Sequence, residues 1–422
     1  MGRRHMLRLA AAALGSALAL AACSESGGDG GGGGGGSTPV AAGASVKLMA
    51  ILPTGTAGSN YPDILAASNA AVRGLNARGG IKGHKVELVY CNEKNDAGTA
   101  KSCAQRAVEE HVLAVVNEVS ATGGIMPILE AAKIPSIGSG GISIDQSELS
   151  SPVSFMLSPL TDYPAVCPAL LKKAGATKLG AVGYSLPQAD RLMKMAEIGA
   201  KDAGSPLALE PRVPIDTSDF TPTATQLSRA GVNGTVLVVV DQGAYAVIKG
   251  GGAGGGKYCH ALGVLSRNWL IEEGAAADSI VFASAFPELS QTGQFPELAR
   301  AVQELDAEAA AGDADAATDK RISSTNTVGS WLSVQVVEKV ANAIPGDELT
   351  SAALLDQLNK TSGLDLGLLP PLDFSKPSPI PGAQRLFNTT MRGVRWDSAT
   401  KTYVPLGTEA YDALKILTQT GT

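Results

Sequence analysis

The chain offers little to nucleic acid, metal or membrane-spanning chemistry. Its 34 lysines and arginines are outnumbered by 40 aspartates and glutamates, for a formal charge of −6 over 422 residues, and no basic stripe runs through it. Nucleic acid is therefore not an expected partner. The four histidines, His5, His84, His111 and His260, show neither H-x-x-H nor H-E-x-x-H spacing, and no two cysteines form Cys-x-x-Cys. No metal site and no cofactor are expected. A nucleophile elbow is also missing, because "GYSLP" and "GISID" (Gly141–Asp145) each lack the second glycine of G-x-S-x-G. Aromatic residues make up only 4 %, and no apolar run reaches the roughly 20 residues of a membrane span. Hydrophobic residues nonetheless total 44 %, with 50 glycines, enough for sizeable cores.

What is present begins with Arg3, Arg4 and Arg8, followed by an apolar run from Leu9 to Ala22. That is the length and flank of a secretory signal peptide, expected over residues 1–22. Leu20-Ala21-Ala22-Cys23 resembles the lipobox of bacterial lipoproteins, which implies that Cys23 is lipidated and becomes the mature N-terminus. Two or three acyl chains would hold the protein at a membrane surface. Residues 23–44, with seven consecutive glycines from Gly30 to Gly36, read as a flexible tether; about 20 such residues span roughly 25 Å. Loss of the three arginines takes the mature charge to −9.

With Cys23 set aside, four cysteines remain in a chain expected to be exported and thus disulfide-permissive. Four allow three connectivities. Cys91 and Cys103 flank the polar stretch CNEKNDAGTAKSC and are paired by proximity, which leaves Cys167 with Cys259. The alternative is a free-thiol or metal role.

From Val46 onward, short apolar strands alternate with amphipathic helices. Strand Val46–Leu52, helix Asp63–Arg78, strand Val86–Cys91, helix Thr99–His111, strand Val112–Asn117, helix Thr122–Lys133 and strand Ile134–Gly138 make a parallel α/β unit. After prolines 152, 159 and 164 the alternation restarts. Strands Lys178–Tyr184, Leu207–Val213, Thr235–Asp241, His260–Ser266 and Ile280–Ala285 alternate with helices Ala165–Ala174, Gln188–Ala203, Thr221–Ala230 and Ala244–Lys249. Three helices follow, Pro296–Ala311, Thr325–Ile344 and Thr350–Lys360, then a proline-rich stretch and two β-like runs, Gln384–Trp396 and Thr402–Leu406. The fold class expected is α/β, two Rossmann-like lobes with parallel sheets joined by a multi-crossover hinge. Residues 45–162 plus about 286–388 would form lobe 1, and 163–285 plus about 389–422 lobe 2. "GGAGGGK" (Gly251–Lys257) fits G-x-x-x-x-G-K, but Tyr258 stands where a phosphate loop needs Ser or Thr. It reads as a helix-to-strand loop.

"GLNARGGIKGHKVELVYCNEKNDAGTAKSCAQRAV" (Gly74–Val108) is similar to the N-A-x-G-G-I-x-G segment of the leucine/isoleucine/valine-binding proteins, type I periplasmic solute-binding proteins of ABC importers. "VVNEVSATGGIMPILEAAKIPSIG" and "TNTVGSWLSVQVVEKVANAI" also look like segments of that family. The resemblance implies a non-enzymatic, extracytoplasmic, monomeric receptor that binds a small-molecule solute between its lobes and delivers it to an ABC permease. It places the ligand at the carboxyl ends of parallel strands, where open α/β sheets bind ligands generally.

On that reading the loop Ser120-Ala121-Thr122, with Thr122 opening a helix, and the loop Ser139-Gly140 grip the ligand, and Tyr61 closes over it. Tyr184, Gln188, Asp241 and Gln242 would face it from lobe 2. Where amino-acid-binding relatives carry an acidic residue for the ligand ammonium, this chain has Ser266-Arg267-Asn268. Asp241 could supply the carboxylate instead, and the departure weakens the expectation of a branched-chain amino acid and leaves amides, urea-like solutes, or carboxylates paired by Arg267 open. A ligand-sensing lipoprotein without transport and an extracellular hydrolase are the alternatives.

Overall fold

The structure is a computed structural model describing residues 39–41, 43–158, 161–251, 256–321 and 324–421. The expected signal peptide, Cys23 and the glycine run lie outside these residues. The expected tether ends sooner than Ala44, since the Val40 amide donates to Leu349 O at 3.1 Å and its side chain packs on a core.

The first sheet contains β1 (Val46–Ile51), β2 (Val86–Cys91), β3 (Ala114–Glu118), β4 (Ser136–Ile137) and β5 (Ser154–Phe155), in the order β2-β1-β3-β4-β5. All its pairings are parallel. Its inner strands are buried on both faces and so read as continuous apolar runs rather than alternating ones. One face packs α1 (Pro62–Ala77), and the other packs α2 (Ala97–Glu109) and α3 (Met126–Ala131).

The second sheet runs β12-β11-β10-β9-β8-β6-β7. Its parallel part is β6 (Leu179–Tyr184), β7 (Arg212–Val213), β8 (Gly234–Val238), β9 (Lys257–Ala261) and β10 (Ile280–Ser284). The flanking helices are α4 (Cys167–Lys173), α5 (Pro187–Asp202), α6 (Thr221–Arg229), α7 (Asp241–Gly251) and α8 (Arg267–Glu273). The C-terminal third serves both lobes. Helices α9 (Pro296–Ala310), α10 (Ser324–Asn342) and α11 (Ser351–Leu358) bring Leu298, Trp331 and Leu354 to the first core. Strands β11 (Thr390–Asp397) and β12 (Thr402–Asp412) extend the second sheet antiparallel, and α12 (Leu414–Thr420) caps it. Connections cross between the sheets after β5, after β10 and before β11; the first and third are bridged at Met156 and Leu386.

Both expected disulfides are present. Cys91–Cys103 ties the end of β2 to α2, and Cys167–Cys259 ties α4 to β9, with Cα separations of 5.7 and 5.6 Å.

Several elements depart from the sequence expectation. Helix α3 starts at Met126 rather than Thr122, because Gly123 and Gly124 adopt φ of +77° and +82°, outside helical space. Strand β8 stops at Val238, so Asp241-Gln242 opens α7 instead of ending a strand. Strand β9 stops at Ala261, short of the expected Ser266, and Ser266 instead caps helix α8 by accepting from the Trp269 amide. The glycine-rich "GGAGGGK" does connect a helix to a strand, α7 to β9.

Candidate functional site

Every strand of the first sheet points its carboxyl end to one edge, and the loops leaving that edge form a pocket of about 480 Å³, open solvent included. Tyr61 reaches it from the loop after β1, where its amide donates to Pro53 O and Pro62 then starts α1. Asn117 sits near the end of β3 with φ +58°, and its buried side-chain amide donates to Ser68 Oγ (2.8 Å) and Ser330 O (3.1 Å). That pair of bonds pins β3 between α1 and α10. Ser139 and Gly140 follow β4, where the Gly140 amide donates to Glu118 O and the Ser139 Oγ lies 2.9 Å from Ser136 Oγ.

The rest of the wall comes from the crossovers. Leu157 and Ser158 follow β5, Phe286 follows β10, and Thr325, Asn326 and Ser330 belong to the first turns of α10. Among the described residues no charged side chain lines this pocket. Its polar groups are hydroxyls, amides and backbone, and its apolar groups are Ile64, Val119, Leu157 and Phe286.

Carboxyls stand just behind the wall. Asp63, 3 % exposed, accepts from Asn326 Nδ2 at 3.1 Å, and burial pushes it up to about 6. Burial, with the charge of Glu148 second, holds the Glu118 carboxyl well above the usual range; its Oε1 accepts the Ser120 amide. These groups shape the loops from behind and leave the pocket surface neutral.

Of the residues named from the sequence, the structure brings Tyr61, Ser139 and Gly140 together. Ser120, Ala121 and Thr122 do not line the pocket. Ser120 is 1 % exposed, its Oγ bonds to Thr122 Oγ1 (2.9 Å), and Ala121 accepts from the Ile144 amide. With α3 starting four residues later, the helix N-terminus expected at Thr122 is absent. Tyr184 is buried, edge-on to Phe220, where a Cβ on Gly243 of α7 would meet its hydroxyl. Gln188 lies in the first turn of α5 and Asp241 opens α7, with Gln242 exposed beside it. Arg267 spends its guanidinium on two backbone carbonyls, Asp319 O (3.4 Å) and Lys401 O (3.0 Å).

Sequence reasoning missed Asn117, Phe286, Thr325, Asn326 and Ser330. The start of α10 carried a signal in "TNTVGS", where hydroxyl and amide residues open an otherwise apolar helix. Asn117 carried none, since its left-handed backbone is visible only in three dimensions.

Gly138, φ +76°, sets the path of the Ser139–Gly140 loop, and a Cβ there would lie 1.9 Å from Ser333 Oγ. Gly138→Ala is expected to displace the loop and weaken binding of a small molecule in this pocket by at least about tenfold, through left-handed strain added to the overlap. Calorimetry with a small molecule found to bind the purified wild-type protein checks this; an unchanged Kd would separate the loop from binding.

Two mostly parallel α/β lobes joined by three crossovers, the first two of which help line a pocket at strand carboxyl ends, define a two-lobed solute-binding protein. The family model described as periplasmic binding protein matches residues 49–401, and the chain belongs to that family. The resemblance to type I periplasmic solute-binding proteins holds on this evidence. Solved structures agree in fold. An extracellular ligand-binding receptor from Verminephrobacter eiseniae superimposes with TM-score 0.66 at 16 % identity, covering 86 % of this chain and 100 % of that one. A fatty acid ABC transporter substrate-binding protein from Thermomonospora curvata gives 0.64 at 16 %, covering 89 % and 95 %. An ABC transporter solute-binding protein from R. palustris, in complex with 4-hydroxybenzoate, gives 0.64 at 15 %, covering 87 % and 97 %. Among curated proteins none matches the sequence.

Proposed function

We propose that the protein is an extracytoplasmic lipoprotein that captures a small solute between its lobes and delivers it to an ABC import permease. The observation that carries the reading is the neutral pocket at the first sheet's carboxyl edge, completed by Phe286 from the second lobe's exit. Tyr61, Ser139 and Gly140 would hold the solute from lobe 1, with Asn117 and the first turns of α10. The carboxyl edge of lobe 2, near Tyr184, Gln188, Asp241 and Gln242, would close over it. Contacts to both edges together exist only when the lobes approach, so binding shifts the population toward closure by that difference in affinity. Lobe 1 would comprise 45–162 plus about 286–388, and lobe 2 163–285 plus about 389–422. The transporter assignment draws on the structural neighbours, two of which are titled as ABC transporter solute- or substrate-binding proteins.

The protein is proposed to act as a monomer without cofactor and to catalyse no reaction. Denaturing the purified protein should release an intact solute detectable by mass spectrometry; recovery of a turnover product, or of nothing, would defeat the reading. Uptake of that solute should be lost on deletion, and retained uptake would leave a sensing role instead. Anchoring through Cys23 has its own test: Cys23→Ser should move the protein from the membrane to the soluble fraction, and unchanged membrane retention would overturn it.

A further inference from the structure

Four large hydrophobic side chains are exposed among the described residues: Ile144 (84 %), Ile215 (54 %), Val240 (56 %) and Val264 (37 %). Exposed apolar residues scattered singly need no explanation. These are not scattered. Each stands in the loop that leaves the carboxyl end of a parallel strand, Ile144 after β4, Ile215 after β7, Val240 after β8 and Val264 after β9. In the second sheet β9, β8, β6 and β7 are successive neighbours. Val264, Val240 and Ile215 are therefore strung along one edge, over a width of about 14 Å at ~4.8 Å per strand. Phe286, just past the end of neighbouring β10, already lines the first-lobe pocket, so this edge is the one turned toward it. Ile144 stands on the facing edge.

The charges on these edges divide the solute's ends. Among the described residues the first-lobe pocket has no charged lining, so a single hydrogen-bonding head can sit there on hydroxyls and amides. On the second-lobe edge Asp216 and Asp219 are exposed, Asp219 accepting from the Thr221 amide at 2.9 Å, and they oppose an anionic head. Arg267 is already committed to two carbonyls. None of the described residues that line the first pocket is acidic, to hold an ammonium beside the head.

Resting on the solute-receptor reading, we infer that the solute is a single-headed amphiphile. Its neutral or carboxylate head occupies the first-lobe pocket, and its aliphatic or aromatic body packs on Ile215, Val240 and Val264, with Ile144 meeting it from the opposite rim. Burial of apolar solute surface then supplies most of the selectivity, at roughly 0.8 kcal/mol, or about fourfold in affinity, per methylene.

The test uses the full-length protein in calorimetry with three series of equal chain length: straight-chain monocarboxylates from acetate to octanoate, the matching primary amides, and α-amino acids from glycine to norleucine. Affinity is expected to rise about fourfold per methylene in the carboxylate or the amide series, the better series identifying the head. Val240→Asp with Val264→Asp, both at exposed positions, should flatten that dependence without moving the thermal midpoint. Val240→Asn with Val264→Asn should do the same without added charge. Affinity independent of chain length, a preference for the amino acids, or slopes unchanged in both double variants would overturn the inference. Binding of no member overturns it too. In that case, recovery of some other solute from the purified protein leaves the receptor reading standing, and recovery of none removes both.

Discussion

Replacing Cys167 and Cys259 together by alanine is expected to cost the protein about 4–5 kcal/mol of stability, against about 3 kcal/mol for the Cys91–Cys103 pair. The difference comes from the chain closed by each bridge. Cys167–Cys259 spans 92 residues and Cys91–Cys103 only 12, and constraint of the unfolded chain grows with the logarithm of the loop. The longer bridge encloses β6, β7 and β8, so it fastens α4 to β9 around three of the second lobe's five parallel strands. Both its cysteines are 0 % exposed and belong to the second lobe's core, so their loss also leaves a small cavity. Urea unfolding of each double variant at fixed pH measures the two losses. Equal losses, or a smaller one for the long bridge, would contradict the assignment of the second lobe's stability to this link.

The crossovers between the lobes are firmly built. Arg385, before β11, donates Nε to Ser154 O at 2.6 Å and lies over the rings of Phe155 and Phe387 at 4.3 and 5.0 Å. Burial brings its pKa down to about 10, so it remains a cation at neutral pH, stabilised by the aromatic faces. The backbone beside it is shared, with Met156 N donating to Arg385 O and Phe387 N to Met156 O. Two of the three connections are thus fused where they cross. On the proposed closing motion, the lobes would rotate about this short ladder rather than bend each connection separately.

The sequence made the architecture legible because its strands are hydrophobic on both faces and its helices on one. Strand β2 runs from Val86 to Cys91 as expected, and α6 and α9 start where Thr221 and Pro296 announce them. Failures cluster where a short element sits beside a longer pattern. "HALGVLS" reads as a continued strand, but Gly263 at φ +98° turns the chain and Ser266 starts α8. The site was legible on the strand-end loops alone. Helix α10 supplies four pocket residues, yet it is buried nearly all round, so beyond the hydroxyl and amide residues of "TNTVGS" no polar stripe marks its pocket-facing end. Thr122 misled for a local reason: Gly123 and Gly124, which end the helical pattern in three dimensions, are compatible with it in one.

Stability should fall as pH rises from about 4.5 to 7, the reverse of the usual behaviour of surface carboxylates. Besides Glu118 and Glu148, three carboxyls near the pocket and crossovers are buried: Asp63 lies in the first turn of α1, Asp162 follows the first crossover, and Glu288 follows the second. Burial raises Asp63 and Asp162 to about 6 and Glu288 to about 7. Arg191, 3.7 Å from Asp162, offsets its shift only in part. A folded-state pKa above the unfolded one means that the native protein binds more protons than the unfolded chain between the two values, so unfolding free energy decreases with pH there. Below about pH 4 these groups are protonated in both states and their penalty is absent; above about 7 both states are ionised and the loss is complete. A shift of two units corresponds to on the order of 3 kcal/mol for one such group. Ion-paired Glu197, held down at about 2 by Lys194 and Lys201, acts in the other direction but only at lower pH. Urea midpoints at pH 4.5, 5.5, 6.5 and 7.5 should therefore decline in that order, and Asp162→Asn should reduce the decline. Midpoints that climb across this range would mean that the three carboxyls ionise in the native state as freely as in the unfolded one.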